Sequence, residues 1–229
     1  MKHLLSKSRY IRGLQCTKAL YLDTFCPELA RVSYETRQKF AVGRSFERMF
    51  KDTFPDGIDI SQQLKGRIDR YADLTTELLK QEGAVSIFEA GFCYDGVLVL
   101  ADVLHKSADG TIDVYEVKNT SHVTSVIRND VYVQYYVISH CIDNLHGFSV
   151  VYRGENSGTA SVPDFCYEDL TEEAVLQQEI VCKNVAAFKE VLCGMEPSME
   201  MGAQCDTPYE CPYKQYCRGE MAVQTNLQI

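Results

Sequence analysis

The chain is poor in the residues that build extended or low-complexity proteins. Six prolines and 14 glycines among 229 residues exclude a collagenous or repeat-biased chain. No apolar run approaches the roughly 18 residues that suggest a membrane-spanning helix, so none is expected. The opening Met1-Lys2-His3-Leu4-Leu5-Ser6-Lys7 has no apolar segment followed by a small-residue cleavage site. No secretory signal is therefore expected, and the expected address is cytoplasmic. An overall basic charge is missing too: the formal net charge is −9, which argues against coating nucleic acid by charge alone. With 45% hydrophobic and 24% charged residues, the chain can bury a substantial core in one domain or in one domain with a small accessory lobe.

Charge is unevenly spread. Residues 1–70 carry 14 Lys and Arg against 8 Asp and Glu, whereas residues 71–229 carry 9 against 24. A basic N-terminal third suggests a local phosphate-facing patch, with solvated helix faces as the plainer alternative. The ten cysteines are too sparse for a disulfide scaffold. In a reducing compartment a clustered subset points instead to metal binding. Cys93, Cys141, Cys166, Cys182 and Cys193 lie in apolar stretches and read as small buried hydrophobes.

Hydrophobic periodicity predicts a helix from Ser6 or Ser8 to Leu22, a second from Ser33 to Phe50, and a third over 71–81. From Ala84 the texture turns β-branched and aromatic. Strands are expected over 84–93, 97–106 and 111–118, with Asp95-Gly96 and Asp109-Gly110 as hairpin turns. A helix over 123–141, a strand over 147–152 and a long amphipathic helix over 171–192 follow, before an irregular tail. This order describes an α/β domain with a mixed sheet.

The two turns set a register. Centring the first between Asp95 and Gly96 places Glu89 opposite Asp102. Centring the second on Asp109 places Asp102 opposite Glu116. Three carboxylates about 5 Å apart across neighbouring strands destabilise a sheet unless a cation compensates. Lys118, two residues after Glu116, shares its face, while Val103 and Val117 point to the opposite one. Hard oxygen ligands of this kind suit Mg²⁺ or Mn²⁺.

Asp102, followed on the next strand by Glu116-Val117-Lys118, resembles the PD-(D/E)XK nuclease motif. Gln134, within Asp130-Val-Tyr-Val-Gln-Tyr-Tyr136, resembles the glutamine motif of the RecB-like branch. Gly43-Arg-Ser-Phe-Glu47 stands where that branch usually carries a histidine on an early helix. The element order matches over nearly the whole chain. Glu47 replaces the histidine, and positions 137 and 138 are Val and Ile where a tyrosine is usual, with Tyr135 and Tyr136 nearer. The resemblance implies a restriction-endonuclease-like core over 84–193, a helical region over 1–83 and a Cys-rich tail over 194–229, together one structural domain. It implies that Asp102 and Glu116 hold Mg²⁺ or Mn²⁺, with Glu47 and the Val117 carbonyl as further ligands. Lys118 would orient the attacking water, Gln134 would position Lys118 or the phosphate, and Glu89 would stand in the outer shell or be structural.

The tail reads Cys205-Asp-Thr-Pro-Tyr-Glu-Cys211-Pro-Tyr-Lys-Gln-Tyr-Cys217. Three thiols at this spacing can converge on one centre and need a fourth, for which Cys16 is the first candidate and Cys26 the second. Four thiolates suit Zn²⁺ or an iron–sulfur cluster, and spacing alone does not separate them. One RecB-like branch, which includes CRISPR-associated exonucleases and AddAB-type nucleases, carries one cysteine before the core and three after it around a [4Fe–4S] cluster. Cys16 with Cys205, Cys211 and Cys217 resembles that arrangement. The resemblance implies a metal-dependent DNA exonuclease acting on single-stranded or free ends, with a structural cluster. Arg9, Arg12, Lys18 and Arg44 are the expected phosphate contacts. The alternatives are a non-catalytic nucleic-acid-binding or assembly subunit and a zinc-stapled protein-interaction module.

Overall fold

A seven-stranded mixed sheet forms the centre of the protein, in a computed structural model that describes residues 5–31, 44–154 and 164–220. Three long strands dominate it: β3 (Val85–Tyr94), β4 (Val97–Lys106) and β5 (Ile112–Lys118). They follow from the sequence directly. Asp95 and Gly96 take φ of 47° and 68°, the left-handed pair that a tight hairpin requires. Asp109 accepts the Thr111 N–H at 3.0 Å to close the second turn.

Helix α6 (Ser125–Ser139) carries the chain over to β6 (Leu145–Arg153), which pairs parallel to β5. Its start is set by Thr124, whose hydroxyl accepts the Ile127 N–H. β7 (Phe165–Asp169) closes that side antiparallel to β6. At the other edge β2 (Ile58–Asp59) runs parallel to β3. β1 (Leu5–Ser6) is placed differently. It pairs with Val97 and Leu98 of β4, whereas β5 pairs with β4 only from Val103 to Lys106. A single edge of β4 thus serves two partners, and the stretch between them ends at Asp102.

Helices cover both faces. On one lie α1 (Lys7–Gln15), α2 (Thr17–Phe25), α5 (Tyr71–Leu79), α6 and α8 (Gln178–Cys193), which share the main core with Val99, Leu104, Val114, Phe148 and Val150. Gly13 permits the close approach of α1 to α8: a Cβ there would come within 2.7 Å of the Phe188 ring. On the other face, a helix over residues 44–51 (α3) buries Phe46 and Phe50 against Phe88, Val103, Val117 and Val151. Burial of each such ring contributes about 1.5–3 kcal/mol. Arg128 ties α6 to β7 and to α7 (Thr171–Leu176) through Glu168 and Glu173.

The structure differs from the expected elements at several points. The first helix breaks at Cys16, whose backbone is extended (φ −164°, ψ 122°) between α1 and α2. The helix expected over 171–192 breaks at Gln177. There the Gln178 side chain donates to the Ala174 carbonyl at 2.5 Å and interrupts the ladder. The stretch before Tyr71, to which the periodicity assigns no element, holds β2, a short helix α4 (Ile60–Leu64) and a 3₁₀ turn. Ser33, Phe40 and Gly43, expected in the second helix, lie outside the described residues. Among the described residues, no helix is long and apolar enough to cross a membrane.

Candidate functional site

The sheet register aligns three acids. Phe88 pairs with Val103 and Ala90 with Ala101, which places Glu89 opposite Asp102. Val103 pairs with Tyr115, so one further rung places Asp102 opposite Glu116. Asp102 Oδ2 accepts the Val117 N–H at 2.8 Å, side chain meeting backbone where the ladder ends. Glu89 itself adopts φ +57°, a left-handed conformation rare for a non-glycine residue within a strand.

The acidic side chains then separate into two sets. Glu47, Glu89 and Asp102 each bring a carboxylate oxygen within 4.8 Å of the others, the one group of this kind among the described residues. Lys51 bridges two of them, at 2.5 Å from Glu47 and 2.7 Å from Glu89, with its ammonium 5.6 Å from the Phe88 ring centre. Burial together with the neighbouring Glu116 charge pushes the Asp102 carboxyl up to about 7. Burial raises Glu89 as well, against the pull of Lys51.

Glu116 forms the second set and is fully buried. Its carboxylate receives Lys7 at 2.8 and 3.0 Å, Lys118 at 2.6 Å and the Gln134 amide at 2.7 Å. Burial alone would raise its pKa, but Lys118 and Lys7 outweigh burial and hold it down at about 2. Lys118 also pairs with Asp130 at 3.0 Å.

Three of the expected site residues stand among neighbours that the sequence did not indicate. Glu89, expected outside the inner ligands, stands in the carboxylate group with Asp102. Glu116, expected beside Asp102 as a ligand, has its oxygens engaged by two ammoniums and an amide. Gln134 is fully buried and bonds Glu116 rather than Lys118, while its Oε1 has no hydrogen-bond partner. The expectation missed Lys7, Lys51 and Asp130. Lys51 and Asp130 carry a signal in the sequence, since each lies four residues from an assigned residue on its helix. Lys7 carries none, being 109 positions from Glu116.

Two grooves meet at Glu89. The larger, about 960 Å³, includes Arg44, Glu47, Arg48, Lys51 and Asp59 in its lining. The smaller, about 540 Å³, includes Lys7, Arg9, Leu98, Leu100 and Asp102. Gly57 leaves room for the Phe88 ring in the larger groove, because a Cβ would lie 2.1 Å from it. Of the expected phosphate contacts, Arg44 and Arg9 line these grooves, although Arg9 is 3.6 Å from Asp23. Arg12 and Lys18 do not. Arg12 reaches Gln15, and Lys18 pairs with Glu196 at 2.9 Å over the Tyr216 ring, beside the cysteines.

Cys16, Cys205, Cys211 and Cys217 all line one small cavity, together with Lys18, Met199, Met201 and Tyr213. The helix break at Cys16 turns the chain there, and Gln15 donates to the Gln204 and Tyr209 carbonyls at 2.8 and 2.6 Å. The Cys211 N–H donates to the Cys205 carbonyl at 2.8 Å, and Cys217 ends the short helix α9 (Lys214–Cys217). Burial pushes the Cys211 and Cys217 thiols up. Cys26 packs into the adjoining apolar cluster of Leu22, Leu29 and Tyr213 and is not part of the cavity lining. Of the cysteines expected in the core, Cys141, Cys182 and Cys193 are exposed, and Cys93 and Cys166 are half-buried. Cys182 and Cys193 are on α8, whose buried face is formed by Val181, Val185, Phe188 and Leu192.

No family model and no curated protein matches the chain. Among solved structures, the crystal structure of SSO0001 is similar over 95% of this chain and 87% of that chain, with a TM-score of 0.48 and 11% identity.

Proposed function

We propose that the chain is a RecB-like nuclease of the PD-(D/E)XK fold that hydrolyses DNA with Mg²⁺ or Mn²⁺, acting on single strands or free ends. The observation that carries this reading is the meeting of Glu47, Glu89 and Asp102 beside the Glu116–Lys118 pair, where two grooves join. The donor set fits a hard divalent cation: three carboxylates crowd together, and the upward shift of Asp102 marks negative charge that a cation would offset. Asp102, Glu47 and Glu89 would hold the cation, with Glu116 and the Val117 carbonyl next in line. When bound, such a cation polarises the scissile phosphate and acidifies the attacking water.

The chain's own residues supply the rest. Lys118, held by Glu116 and Asp130, keeps its charge, because those partners outweigh the burial that would lower its pKa. Its ammonium is set to orient water and to offset charge that develops on the phosphate. Gln134 fixes Glu116 from α6 and so aims Lys118 indirectly. Arg44 and Arg48, both exposed along the larger groove, would meet the phosphate backbone.

Cys16, Cys205, Cys211 and Cys217 around one cavity supply four thiols, a donor set that suits a [4Fe–4S] cluster, with Zn²⁺ as the alternative. The cluster reading rests on the resemblance to the RecB-like branch. The cluster's role would be to tie the N-terminal helices to the tail, since hydrolysis needs no redox step.

The test is anaerobic purification with iron, sulfide and zinc counts, followed by digestion of end-labelled single-stranded DNA with and without Mg²⁺ or Mn²⁺. Iron and sulfide should bind in near-equal amounts. Cleavage should require the divalent cation and vanish in Asp102→Ala and Lys118→Ala variants that remain folded. Undiminished cleavage by either variant overturns the assigned site, and DNA binding without cleavage supports the non-catalytic alternative.

A further inference from the structure

Lys7 is the cation at this centre that no sequence motif accounts for. It follows β1 directly, and β1 occupies the edge of β4 that β5 leaves open short of Asp102. The strand pairing therefore delivers Lys7 toward the acids. A carboxylate offers about four acceptor positions. On Glu116, Lys7 takes one on each oxygen, Lys118 takes a second on Oε1, and Gln134 takes a second on Oε2. None is left for a metal ion. Lys118 has Asp130 as another partner and Gln134 has the Asp130 carbonyl, whereas both hydrogen bonds of Lys7 among the described residues go to Glu116. Lys7 also lines the smaller groove beside Asp102 and Glu89.

We infer that Lys7 is a positioning residue that competes with the divalent cation for Glu116. Its ammonium keeps Glu116 closed until a cation at Glu47, Glu89 and Asp102 draws that carboxylate in. Lys7 is then released at the groove wall, where a substrate phosphate would pass. Loading of the cation and readiness of the groove are thereby linked through one side chain. The inference rests on the metal-site reading above and goes beyond it by assigning the N-terminal strand a part in the site.

The test measures Mn²⁺ binding to the whole protein without DNA, by titration calorimetry and electron paramagnetic resonance. Lys7→Met should bind Mn²⁺ roughly tenfold more tightly, the scale set by losing one charge-assisted contact. Lys7→Arg, which keeps the charge, should stay near the unaltered protein. Adding Glu116→Gln to Lys7→Met should remove the gain. An affinity that is unchanged or weaker in Lys7→Met overturns the inference, since a merely structural lysine would give that result.

Chemical acetylation of the unaltered protein supplies a second readout that needs no variant to fold. Lys7 should become several-fold more reactive when Mn²⁺ saturates, and a constant rate overturns the competition. Failure of the metal-site reading looks different: Asp102→Asn would then leave Mn²⁺ binding undiminished, or the unaltered protein would bind none.

Discussion

Glu89 stands at φ +57°, inside a strand, where a side chain with a Cβ costs about 1–3 kcal/mol. Glycine takes that conformation freely, although glycine within a regular strand normally weakens it. Replacement at this position should therefore run against the usual order. Glu89→Gly is expected to be more stable than Glu89→Ala by about 1 kcal/mol in denaturant unfolding. Greater stability of the alanine variant would show that the left-handed turn at 89 relaxes once the carboxylate is gone. The acid alignment was legible in the sequence because two Asp-Gly turns fix the register, and the period of two carries it to Lys118. The division of the acids between Lys51 and Lys7 was not legible. It depends on which helix and which strand end each ammonium arrives from, and hydrophobic periodicity carries no record of that.

Short elements here owe their existence to partners and caps. Helix α4 has five residues, and Asp59 starts it by accepting the Ser61 and Gln62 N–H groups at 2.9 and 3.2 Å and the Ser61 hydroxyl at 2.6 Å. Asp59→Ala should cost about 1 kcal/mol in urea unfolding at neutral pH. Partial burial would raise the Asp59 pKa, but those hydrogen bonds outweigh it and the folded value is depressed. A depressed folded pKa gives stability that is present above the unfolded value of about 3.9 and is lost as pH falls through the folded one. The difference between Asp59→Ala and the unaltered protein should thus narrow from pH 7 to pH 3; a constant gap would show that the carboxylate charge plays no part. β3, β4 and β5 were legible to within a residue because alternation and turn residues agree, whereas β6, with no tight turn before it, starts two residues earlier than expected. β1 and β2, at two residues each, are too short to display a period, and the sheet recruits them through tertiary contacts. The break at Gln177 depends on a side chain that folds back on its own helix.

At the scale of the whole molecule, the N-terminal helices and the tail close on each other around the cysteine cavity. They share a small apolar cluster of Ala19, Leu22, Leu29, Cys211 and Tyr213, with the Arg31 N–H donating to the Pro212 carbonyl at 2.8 Å. Spacing made the grouping of Cys205, Cys211 and Cys217 legible, and the family resemblance, not spacing, put Cys16 ahead of Cys26 as their fourth. The place of Lys18 in the clasp was not legible, because Glu196 and Tyr216 come to it only on folding. The distribution of thiols over the surface has a practical consequence for labelling kinetics. Cys141, Cys182 and Cys193 are exposed, and Cys211 is buried. A thiol reagent under native conditions should therefore show a fast phase from Cys182 and Cys193, whatever fills the clasp, with Cys141 slower because burial pushes its thiol up. Cys16, Cys205, Cys211 and Cys217 should join only after the centre is stripped. A fast phase unaffected by stripping, with the slow phase accelerated, would separate loss of the centre from unfolding; simultaneous release of all ten groups would show that clasp and core open together. The same exposed thiols are where chains would cross-link in air, so aggregates from aerobic handling that a reductant dissolves would report surface oxidation.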